Sequence, residues 1–563
     1  MFSPITIINV YAPATLAERR IFFDSIFTPP SLIPSLPSRC ILLGDFNYSY
    51  PSALTNYSPP KAPATWVNYT TSNYVDCHTA EFSIPSPTFH RGTQSSCIDY
   101  IFATTDLTTH PHNSRQVFIN PTWSDHMLLT TKFLLPPPNS SNFVKGKGVW
   151  RGNPLLSRDS NFCTLLQEHI PLYISTIDPS FTAQVKWDLI KKHFREFVKS
   201  YTRKKTRSRK PIEKTLQSVR NKILRNLSIY PDHLSKYQLP HIERQLQEQQ
   251  QYDMDILALR SSLSWRELGE KSAGYLKNTI SQRQKKKTIE CFVHPVTSAV
   301  CTTPDDLLDA ASTFYTNLYS PDPIDTIALD SILSRIPPDL HLSDLHINKL
   351  TSPLSWSELL EGFSRSPKSS SPGIDGIPYE LLLLLSGISE CKNILLSVFQ
   401  DALQLGVFPS SWCDTCVSML PKKGDLSDLR NWRPISLINA DAKVFTRILN
   451  SRIISVSSSI INPYQTGFVR GRFIADNGNL MKLVMEHCRL NSSSAIGLLL
   501  DQEKAYDRVH PSYLKAVLTK FRFPQTIIDT IHNLFFNTQI QVNVNGHLTS
   551  PFLQSGGLRQ GDP

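Results

Sequence analysis

A short apolar run that ends in an acid, residues 496–500 followed by Asp501, most constrains what this chain can fold into. The run is too short for a helical pattern and follows Ser-rich sequence, so it predicts a strand that is covered on both faces. A carboxylate held at the end of such a strand is suited to Mg2+, which prefers oxygen ligands and keeps positions open for substrate phosphates. The alternative for this segment alone is a solvent-exposed Asp that simply ends a strand.

Charge and cysteine content indicate the class of partner and the compartment. The 563 residues suffice for several domains, and the net charge of +11 with a pI near 9.0 favours nucleic acid as the partner. The ten scattered Cys form no regular framework, and the CxxC pair Cys413 and Cys416 lacks further zinc ligands at suitable spacing. No signal peptide opens the chain, and the longest Leu run, 381–385, is too short to span a bilayer. We therefore expect an intracellular protein of the nucleus or cytoplasm, with no membrane partner.

Residues 1–134 contain five short segments in which a polar residue stands at or just beyond a β-type run. A sheet that ends its strands in this way aims polar side chains into one cleft. The segments are ITIINVYAP (5–13), ILLGDFN (41–47), SPTF (86–89), SSCIDYIF (95–102) and WSDHMLL (123–129).

These five motifs, in this order, resemble the endonuclease/exonuclease/phosphatase family, which LINE-type (non-LTR) retrotransposons carry upstream of their polymerase. The resemblance implies that His126 contacts the scissile phosphate or acts as general acid or base, while Asp125 fixes the imidazole tautomer. It also implies that Asp45 and Asn47 align the attacking water and hold a phosphate oxygen. Asp99 would support the same network. Two further residues, Tyr11 and Thr88, would contact phosphate.

The region that begins with ITIINVYAP (5–13) departs from the family pattern in one respect. Family members begin with further residues that include an Asn at the end of the first strand and the Glu that binds the metal, and neither can be placed here. We therefore expect residues 1–134 to form the C-terminal part of this domain, and we predict that the chain alone has no nuclease activity.

Residues 135–300 form a basic connector after the Pro-rich stretch 136–142. Amphipathic spacing near 181–200, 211–228 and 241–262 predicts helices. The run 201–210 invites two interpretations: sequence-independent phosphate contact, which we prefer between two nucleic-acid enzymes, or a solvated helix face or flexible arm. A nuclear localisation signal is compatible with both. The run contributes six cations: Arg203, Lys204, Lys205, Arg207, Arg209 and Lys210.

Residues 351–563, preceded by an N-terminal extension at 301–350, carry a series of motifs that resemble the reverse transcriptase of LINE-type elements. The loop 369–378 (SSSPGIDGIP) resembles the one that lies against the template in that family. DxxxAY corresponds to Asp501, Ala505 and Tyr506, and RQGxP lies in the final segment 555–563. By resemblance, Asp501 would ligate both catalytic metal ions and Tyr506 would lie under the incoming sugar.

The same resemblance implies roles for six further residues. Lys422 and Arg433 would hold the triphosphate, where two cations favour phosphoryl transfer. Arg470 and Arg472 would contact template phosphates. Gln560 and Gly561 would sit beside the nascent base pair, where Gly lets the backbone approach closely.

A polymerase of this type needs a second acidic site, an Ala-Asp-Asp hairpin after RQGxP, because one Asp cannot hold two Mg2+ ions. We find no such pair, so we expect a fragment that is cut at both ends and inactive as written. The predicted fold is α+β multidomain: a partial α/β-sandwich nuclease, a helical connector, and partial right-hand polymerase fingers and palm.

The predicted function is target-site DNA nicking followed by RNA-templated DNA synthesis, with Mg2+ (Mn2+ as the alternative) and with target DNA, template RNA and dNTPs as partners. A non-enzymatic nucleic-acid-binding remnant is the alternative from a different class. A stand-alone intron-type reverse transcriptase is disfavoured by the nuclease motifs. The oligomeric state stays open.

Overall fold

The chain divides into two units, each formed by two separate stretches of sequence. The structure, a computed structural model, describes residues 4–28, 33–34, 37–50, 61–78, 87–91, 94–109, 112–134, 146–229, 233–261, 288–337, 339–368, 370–469 and 471–562. The first unit combines Met1–Phe143 with Lys204–Gln282, and the second combines Val144–Arg203 with Arg283–Pro563. Residues of the predicted connector are therefore shared between the two units.

The helices and strands follow one another in mixed α and β order. Up to residue 261 they are β1 (Thr6–Tyr11), α1 (Leu16–Phe27), β2 (Cys40–Asp45), α2 (Ala64–Asn73), β3 (Val75–Asp76), β4 (Phe89–Arg91), β5 (Gln94–Ser96), β6 (Asp99–Ala103), α3 (Thr105–Thr108), β7 (His112–Val117), β8 (Leu128–Phe133), α4 (Ser160–Ile174), α5 (Ala183–Ile229) and α6 (His233–Ser261).

The remaining elements belong to the second unit. They are β9 (Phe292–Val293), β10 (Val300–Cys301), α7 (Pro304–Leu318), α8 (Thr326–Ser334), α9 (Asp344–Thr351), α10 (Trp356–Ser364), α11 (Tyr379–Ser386), α12 (Ser389–Leu405), β11 (Asp414–Pro421), β12 (Trp432–Leu437), α13 (Ala440–Ser457), α14 (Ile474–Leu490), α15 (Pro511–Lys520), α16 (Gln525–Phe535), β13 (Thr538–Val544), β14 (His547–Leu548) and β15 (Phe552–Gln554).

The main sheet of the first unit has the strand order β1-β2-β6-β3. β1 and β2 are parallel, and β2 and β6 are antiparallel. Close approach of β1 to β2 depends on Gly44, which has φ +140°, because a Cβ there would lie 1.8 Å from the carbonyl oxygen of Val10. The Gly of the GDFN motif is thus required by the backbone rather than by chemistry.

Aromatic side chains fill the core between this sheet and its two helices. Phe23 on α1 stacks on Trp66 on α2 with ring centroids 4.4 Å apart, and both rings are fully buried. Phe46, directly after β2, packs edge-on against Phe102 of β6 at 5.6 Å. Aromatic pairs of this kind add to the stabilisation from burial alone, so the strand ends are held on a rigid base.

The helices predicted at 181–200, 211–228 and 241–262 are confirmed as α5 and α6. In the first unit the part of α5 after residue 203 packs on α6 through a small apolar cluster that includes Ile223 and Leu246. Arg220 on α5 forms a 2.8 Å ion pair with Glu243 on α6, and its guanidinium lies 4.5 Å from the ring centroid of Phe118. Since α5 includes residues 201–210, the basic run is helical. This excludes the flexible-arm interpretation of the run in this structure.

The sheet of the second unit has the order β12-β11-β13-β14, and β15 also pairs with β13. β11 pairs with β12 antiparallel and with β13 parallel. The predicted strand near 539–546 is confirmed as β13, and the helix predicted from Ala440 onward is confirmed as α13.

A large apolar core joins α5 to the helices of the second unit. Trp187 and Phe194 of α5 are fully buried in the same cluster as Leu385, Trp412 and Phe445. Residues 183–203 are thus an integral layer of this unit, because their apolar stripe at helical spacing is covered by it.

The predicted buried strand at 496–500 is wrong. These residues form neither helix nor strand, and the side chain of Leu500 is 85% exposed. The preceding helix, α14, buries none of its side chains. An apolar run becomes a strand only where a sheet edge and a covering layer receive it, and among the described strands none pairs with these residues.

In the described part of the chain, no single helix has the length and apolarity of a membrane span. One pair, Tyr379–Ser386 and Ser389–Leu405, passes such a test only when taken together, across a bend of 108°. Leu381 and Leu395 in this pair are fully buried in the core of the second unit.

Candidate active sites

The strand register of the first unit places three predicted residues in one polar row. Tyr11 of β1 lies opposite Asp45 of β2, and Asp45 lies opposite Asp99 of β6. Side chains directly opposite each other on neighbouring strands share a face of the sheet. Tyr11, at the edge of the row, is 78% exposed, and its contact with phosphate stays a prediction.

His126 is held in this row by Asp99. The Asp99 carboxylate lies 3.0 Å from Nδ1 of His126, while Asp125 lies 3.8 Å from Nε2. The orienting contact that we expected from Asp125 is therefore made by Asp99. Asp125 directly precedes His126 in the same loop, and its side chain is half-exposed. Asp99, in contrast, is the first residue of β6, and its carboxylate contacts the imidazole ring. A carboxylate on Nδ1 directs the other ring nitrogen toward a substrate.

The electrostatic environment favours the charged form of His126. Burial lowers the pKa of the imidazole, but the hydrogen bond with Asp99 and the charges of Asp99, Asp45 and Asp125 outweigh this and raise it above its usual value. Burial raises the pKa of Asp45, partly opposed by the backbone hydrogen bond from Asn47.

Asn47 positions Asp45. Its backbone N–H donates to Oδ1 of Asp45 at 2.9 Å, and its amide donates to Oδ2 at 3.3 Å and to the carbonyl of Ala12 at 2.7 Å. It adopts φ 53°, a left-handed conformation that Asn tolerates well. Arg19, which sequence reasoning missed, donates to the backbone carbonyls of Lys61, Ala14 and Asn47 and so fixes this loop. Nothing local in the sequence marks Arg19.

Thr88 has a structural role in this unit, and its contact with phosphate stays a prediction. It is 2% exposed, and its hydroxyl accepts hydrogen bonds from the backbone N–H groups of Ile98 at 3.0 Å and Asp99 at 3.1 Å. These bonds fix the start of β6 and hence the position of the Asp99 carboxylate.

The donor set of this row suits a hard divalent cation. Ligand atoms of Asp45, Asp99 and His126 all lie within 4.8 Å of one another, and no other such group occurs among the residues that the structure describes. Carboxylate oxygens are the ligands that Mg2+ and Mn2+ prefer. Both oxygens of Asp99 lie beside His126 and both oxygens of Asp45 accept from Asn47, so either carboxylate would bind an ion through its remaining lone pairs.

In the second unit, Asp501 is exposed, at the end of the exposed apolar run. The expected rigid seat at a strand end is therefore absent from the described structure, and Asp501 belongs to none of the groups that could hold a metal there.

The buried acid of this motif is Asp507, to which the sequence pattern assigned no role. Asp507 is 6% exposed, and the amide of Gln560 donates to both its oxygens at 3.3 Å. Burial raises the pKa of Asp507, and the charges of Lys504 and Lys422 and the Gln560 bond oppose the rise. The backbone N–H of Leu558 donates to the carbonyl of Tyr506 at 2.8 Å. The structure thus joins the Tyr506 turn to the RQGxP loop.

The same loop is anchored on β12. The Ser436 N–H donates to the carbonyl of Gln560 at 2.7 Å. Gly561 has φ +100°, and a Cβ there would lie 3.3 Å from the Ser436 carbonyl oxygen, so Gly is needed for this approach. Neighbouring Arg559, also missed from the sequence, is buried and forms a 3.0 Å ion pair with Asp562.

The two predicted triphosphate-binding cations lie on the β11–β12 hairpin. Arg433 of β12 is exposed and pairs in register with Leu420, and Lys422 follows directly after β11. Nζ of Lys422 donates to the carbonyl of Arg430 at 3.2 Å. The charge of Lys422 acts on Asp507, which also accepts from Gln560 and follows Tyr506 directly. Three predicted residues thus lie close to Asp507 in space or in the chain: Lys422, Tyr506 and Gln560. Asp501 has no such relation to Asp507 among the described contacts.

Some of the cations predicted to contact nucleic acid form hydrogen bonds or ion pairs within the protein, whereas others are exposed. Arg472 donates to the backbone carbonyls of Ile461, Asn462 and Gln465, so its guanidinium supports that turn. Its contact with template phosphate stays a prediction. Arg470 and the side chain of Lys210 lie outside the described residues.

Within the basic run, Arg209 pairs with Asp253 at 3.2 Å, and it and Lys205 lie over the ring of Tyr252. The side chains of Arg203, Lys204 and Arg207 are exposed.

Comparisons with known proteins give one family match in each of the two units. Residues 5–126 match the endonuclease/exonuclease/phosphatase family, and residues 420–563 match reverse transcriptase (RNA-dependent DNA polymerase). In this order of matches the chain is similar to proteins in which an endonuclease-family domain precedes a reverse transcriptase domain.

Three similar proteins come from transposable elements. The chain is 27% identical over 569 residues to the transposon TX1 uncharacterized 149 kDa protein of Xenopus laevis, covering 99% of this chain and 42% of that protein. It is 29% identical to the Pol polyprotein from the type-2 retrotransposable element R2DM of Drosophila melanogaster, over 37% of this chain and 19% of the relative.

It is also 24% identical to the RNA-directed DNA polymerase from the mobile element jockey of Drosophila melanogaster, over 37% of this chain and 23% of the relative. The chain thus spans less than half the length of these relatives. The two family matches and these relatives fit a polyprotein of the LINE-type (non-LTR) retrotransposon kind.

Proposed function

We propose that this chain contributes to target-primed reverse transcription, in which a DNA target is nicked and an RNA template is copied from the nicked 3′ end. The observation that carries the proposal is the pair of Asp99 and His126 in the polar row, in a chain whose second unit matches reverse transcriptase. We further propose that the first unit has the α/β-sandwich type of fold and the second the fingers and palm of a right-hand polymerase. DNA target, RNA template and dNTPs are the partners that this function requires.

In the nicking step, His126 would donate or accept a proton at Nε2, since Asp99 occupies Nδ1. Its raised pKa keeps a larger fraction protonated near neutral pH, which favours stabilising negative charge on a phosphate oxygen. Asp45, held by Asn47, would bind Mg2+ or Mn2+. When bound, such an ion supplies neutralisation of phosphate charge.

In the synthesis step, Lys422 and Arg433 would bind the triphosphate, with Tyr506 and Gln560 near the sugar and the base. The exposed position of Asp501 supports the prediction that this chain alone does not polymerise. That prediction, like the predicted lack of nuclease activity, stays a prediction.

Plasmid nicking tests the first half. The purified chain is incubated with supercoiled DNA and Mg2+, beside His126→Ala and the matched variant His78→Ala, which changes a His outside the polar row. Nicking that His126→Ala abolishes and His78→Ala keeps would support the site and overturn the predicted inactivity. Nicking that survives His126→Ala would contradict the site.

Primer extension on an RNA template tests the second half. Extension above background that Asp501→Ala abolishes would overturn the predicted inactivity of this chain. Failure both to extend and to bind the template–primer duplex would count against a role in reverse transcription.

A second candidate function is non-enzymatic nucleic-acid binding, favoured by the exposed cations Arg203, Lys204 and Arg207. Such binding would be indifferent to sequence and would weaken with salt. Neutralising the three cations to Gln would reduce the slope of log K against log salt by about 2–3. Neutralising Lys186, Lys192 and Lys214, which lie elsewhere on α5, is the control. An unchanged slope in the first variant would exclude the run as the binding surface.

A further inference from the structure

The ammonium group of Lys191 is buried inside the second unit, and neither proposed activity assigns it a role. Lys191 lies on α5, is 3% exposed, and contacts the carboxylates of Asp441 at 2.8 Å, Asp375 at 3.4 Å and Asp188 at 3.8 Å. It also donates to the hydroxyl of Ser411. A buried charge is retained only where partners compensate its desolvation.

The three carboxylates come from three separate parts of the chain. Asp188 precedes Lys191 by one helical turn, Asp375 lies in the loop 370–378, and Asp441 lies in the first turn of α13. Burial and the charge of Asp188 raise the pKa of Asp414 on β11, and the charge of Lys191 opposes that rise. One ammonium therefore links a helix, a loop and a second helix.

Asp375 divides its two oxygens between the loop and Lys191. Oδ1 accepts from the N–H of Ile377 at 3.0 Å, and Oδ2 accepts from Lys191. The N–H of Asp375 donates to Oδ1 of Asn439, the residue that precedes α13, at 3.1 Å. The local turn and the ion pair thus use different atoms and can be separated by substitution.

The rest of the loop leaves little free space. Gly376 has φ +73°, and a Cβ there would lie 2.1 Å from the carbonyl oxygen of Trp150. A Cβ on Gly373 would lie 2.3 Å from Oδ1 of Asn439. Close contacts with Asn439 and Trp150 therefore fix the two glycines. Lys191 supplies the charged contact to Asp375, which lies between them.

We propose that Lys191 is a positioning residue: through Asp375 and Asp441 it fixes the loop 370–378 against the first turn of α13, in the arrangement in which the loop meets the template. The contact with template rests on the proposed function of the second unit. Residues 183–203 are then part of the second unit, not a linker.

Hydrogen–deuterium exchange on the full chain tests the positioning by itself. Asp375→Asn keeps an oxygen for the Ile377 N–H, but it removes the charge and replaces the oxygen that accepts from Lys191 by an NH2 donor. At pH 8 we expect the amides of 375–377 to exchange about tenfold faster in this variant and in Lys191→Met, because a hydrogen bond to a charged group is lost. Lys192→Met, an exposed neighbour on the same helix, should leave exchange unchanged.

A pH comparison separates positioning by charge from a merely structural aspartate. Burial, opposed by Lys191, raises the pKa of Asp375 to about 6. Below that pH the wild-type carboxyl is neutral like Asn, so the difference between wild type and Asp375→Asn should shrink at pH 5. A difference of equal size at both pH values, or none in Asp375→Asn at pH 8, would overturn the proposal even if Lys191→Met fails to fold.

Binding of a fluorescent RNA-template–DNA-primer duplex tests the link to the template. We expect Asp375→Asn to bind about threefold to tenfold more weakly than wild type and Lys192→Met at pH 8 and fixed salt. Faster exchange with unchanged affinity would overturn the template link. If wild type itself does not bind the duplex, the proposed function fails, while the exchange result still decides the positioning of the loop.

Discussion

The Asp99 carboxylate lies 3.0 Å from Nδ1 of His126, although 27 residues separate them in the chain. Two features bring the residues together. Asp99 is the first residue of β6 and lies opposite Asp45, and His126 forms an isolated antiparallel β-bridge with Phe89. The imidazole ring also packs edge-on against Phe89, with centroids 5.1 Å apart. The site therefore depends on sheet register as much as on its motifs.

This contact predicts the order of two substitutions on the pKa of His126. Asp99→Asn should lower that pKa more than Asp125→Asn, because only Asp99 combines a hydrogen bond with charge. NMR titration of the His126 ring in both variants measures the order. An equal or larger fall in Asp125→Asn would return the orienting role to Asp125.

Sequence predicted the members of this row but not their pairing. The GDFN, SSCIDYIF and SDH segments each indicate a polar residue near a β-type run, and the structure brings Asp45, Asp99 and His126 together. The family resemblance of the SDH segment implied Asp125 as the partner of His126. The carboxylate that contacts Nδ1 belongs to Asp99, whose position follows from long-range strand register, which a local pattern does not encode.

The second unit was less predictable for the same physical reason. The apolar run 496–500 shows that the segment is apolar. It does not show whether a sheet edge is available to pair with it. Lys191, Asp375 and Asp441 come from distant segments, and each alone resembles an ordinary surface charge. The predicted domain boundaries and the nuclear or cytoplasmic location stay predictions.

Thr88→Val should destabilise the first unit by about 1–3 kcal/mol, because two buried N–H groups, those of Ile98 and Asp99, lose their acceptor. Thr88→Ser keeps the hydroxyl and should cost less. Urea unfolding of both variants and of wild type measures the difference. A Thr88→Val variant as stable as wild type would leave contact with phosphate as the better account of this residue.

Gly44→Ala should be among the most damaging small substitutions in the first unit. The added Cβ would overlap the Val10 carbonyl and the backbone would have to leave φ +140°, a combined cost of about 3 kcal/mol or more. Gly478→Ala is the matched control, since it lies within α14 with open space around it. It should be neutral or stabilising by up to about 1 kcal/mol. Thermal unfolding that ranks the two the other way round would contradict the close approach of β1 and β2.

Asp507→Asn should change the pH dependence of stability in a defined direction. Burial raises the folded-state pKa of Asp507 above the ordinary 3.8, so its favourable contribution is fully present below about pH 3.8 and is lost as pH rises through the raised pKa. Wild type should therefore lose stability relative to Asp507→Asn between about pH 4 and pH 7, since Asn stays neutral and can still pair with Gln560. Urea midpoints at both pH values measure this. A relative gain of wild type at pH 7 would mean that Lys504 and Lys422 outweigh burial.

Leu499→Ser tests the exposed conformation of the run before Asp501. Leu499 is 84% exposed, so the substitution should change stability by less than about 0.5 kcal/mol. Leu534→Ala, which truncates a fully buried Leu of α16 in the same unit, should cost about 2–5 kcal/mol. Urea unfolding of the two variants compares an exposed with a buried Leu under the same conditions. A cost in Leu499→Ser close to that of Leu534→Ala would mean that the run is buried as a strand in solution, and Asp501 would regain the rigid seat that its sequence predicts.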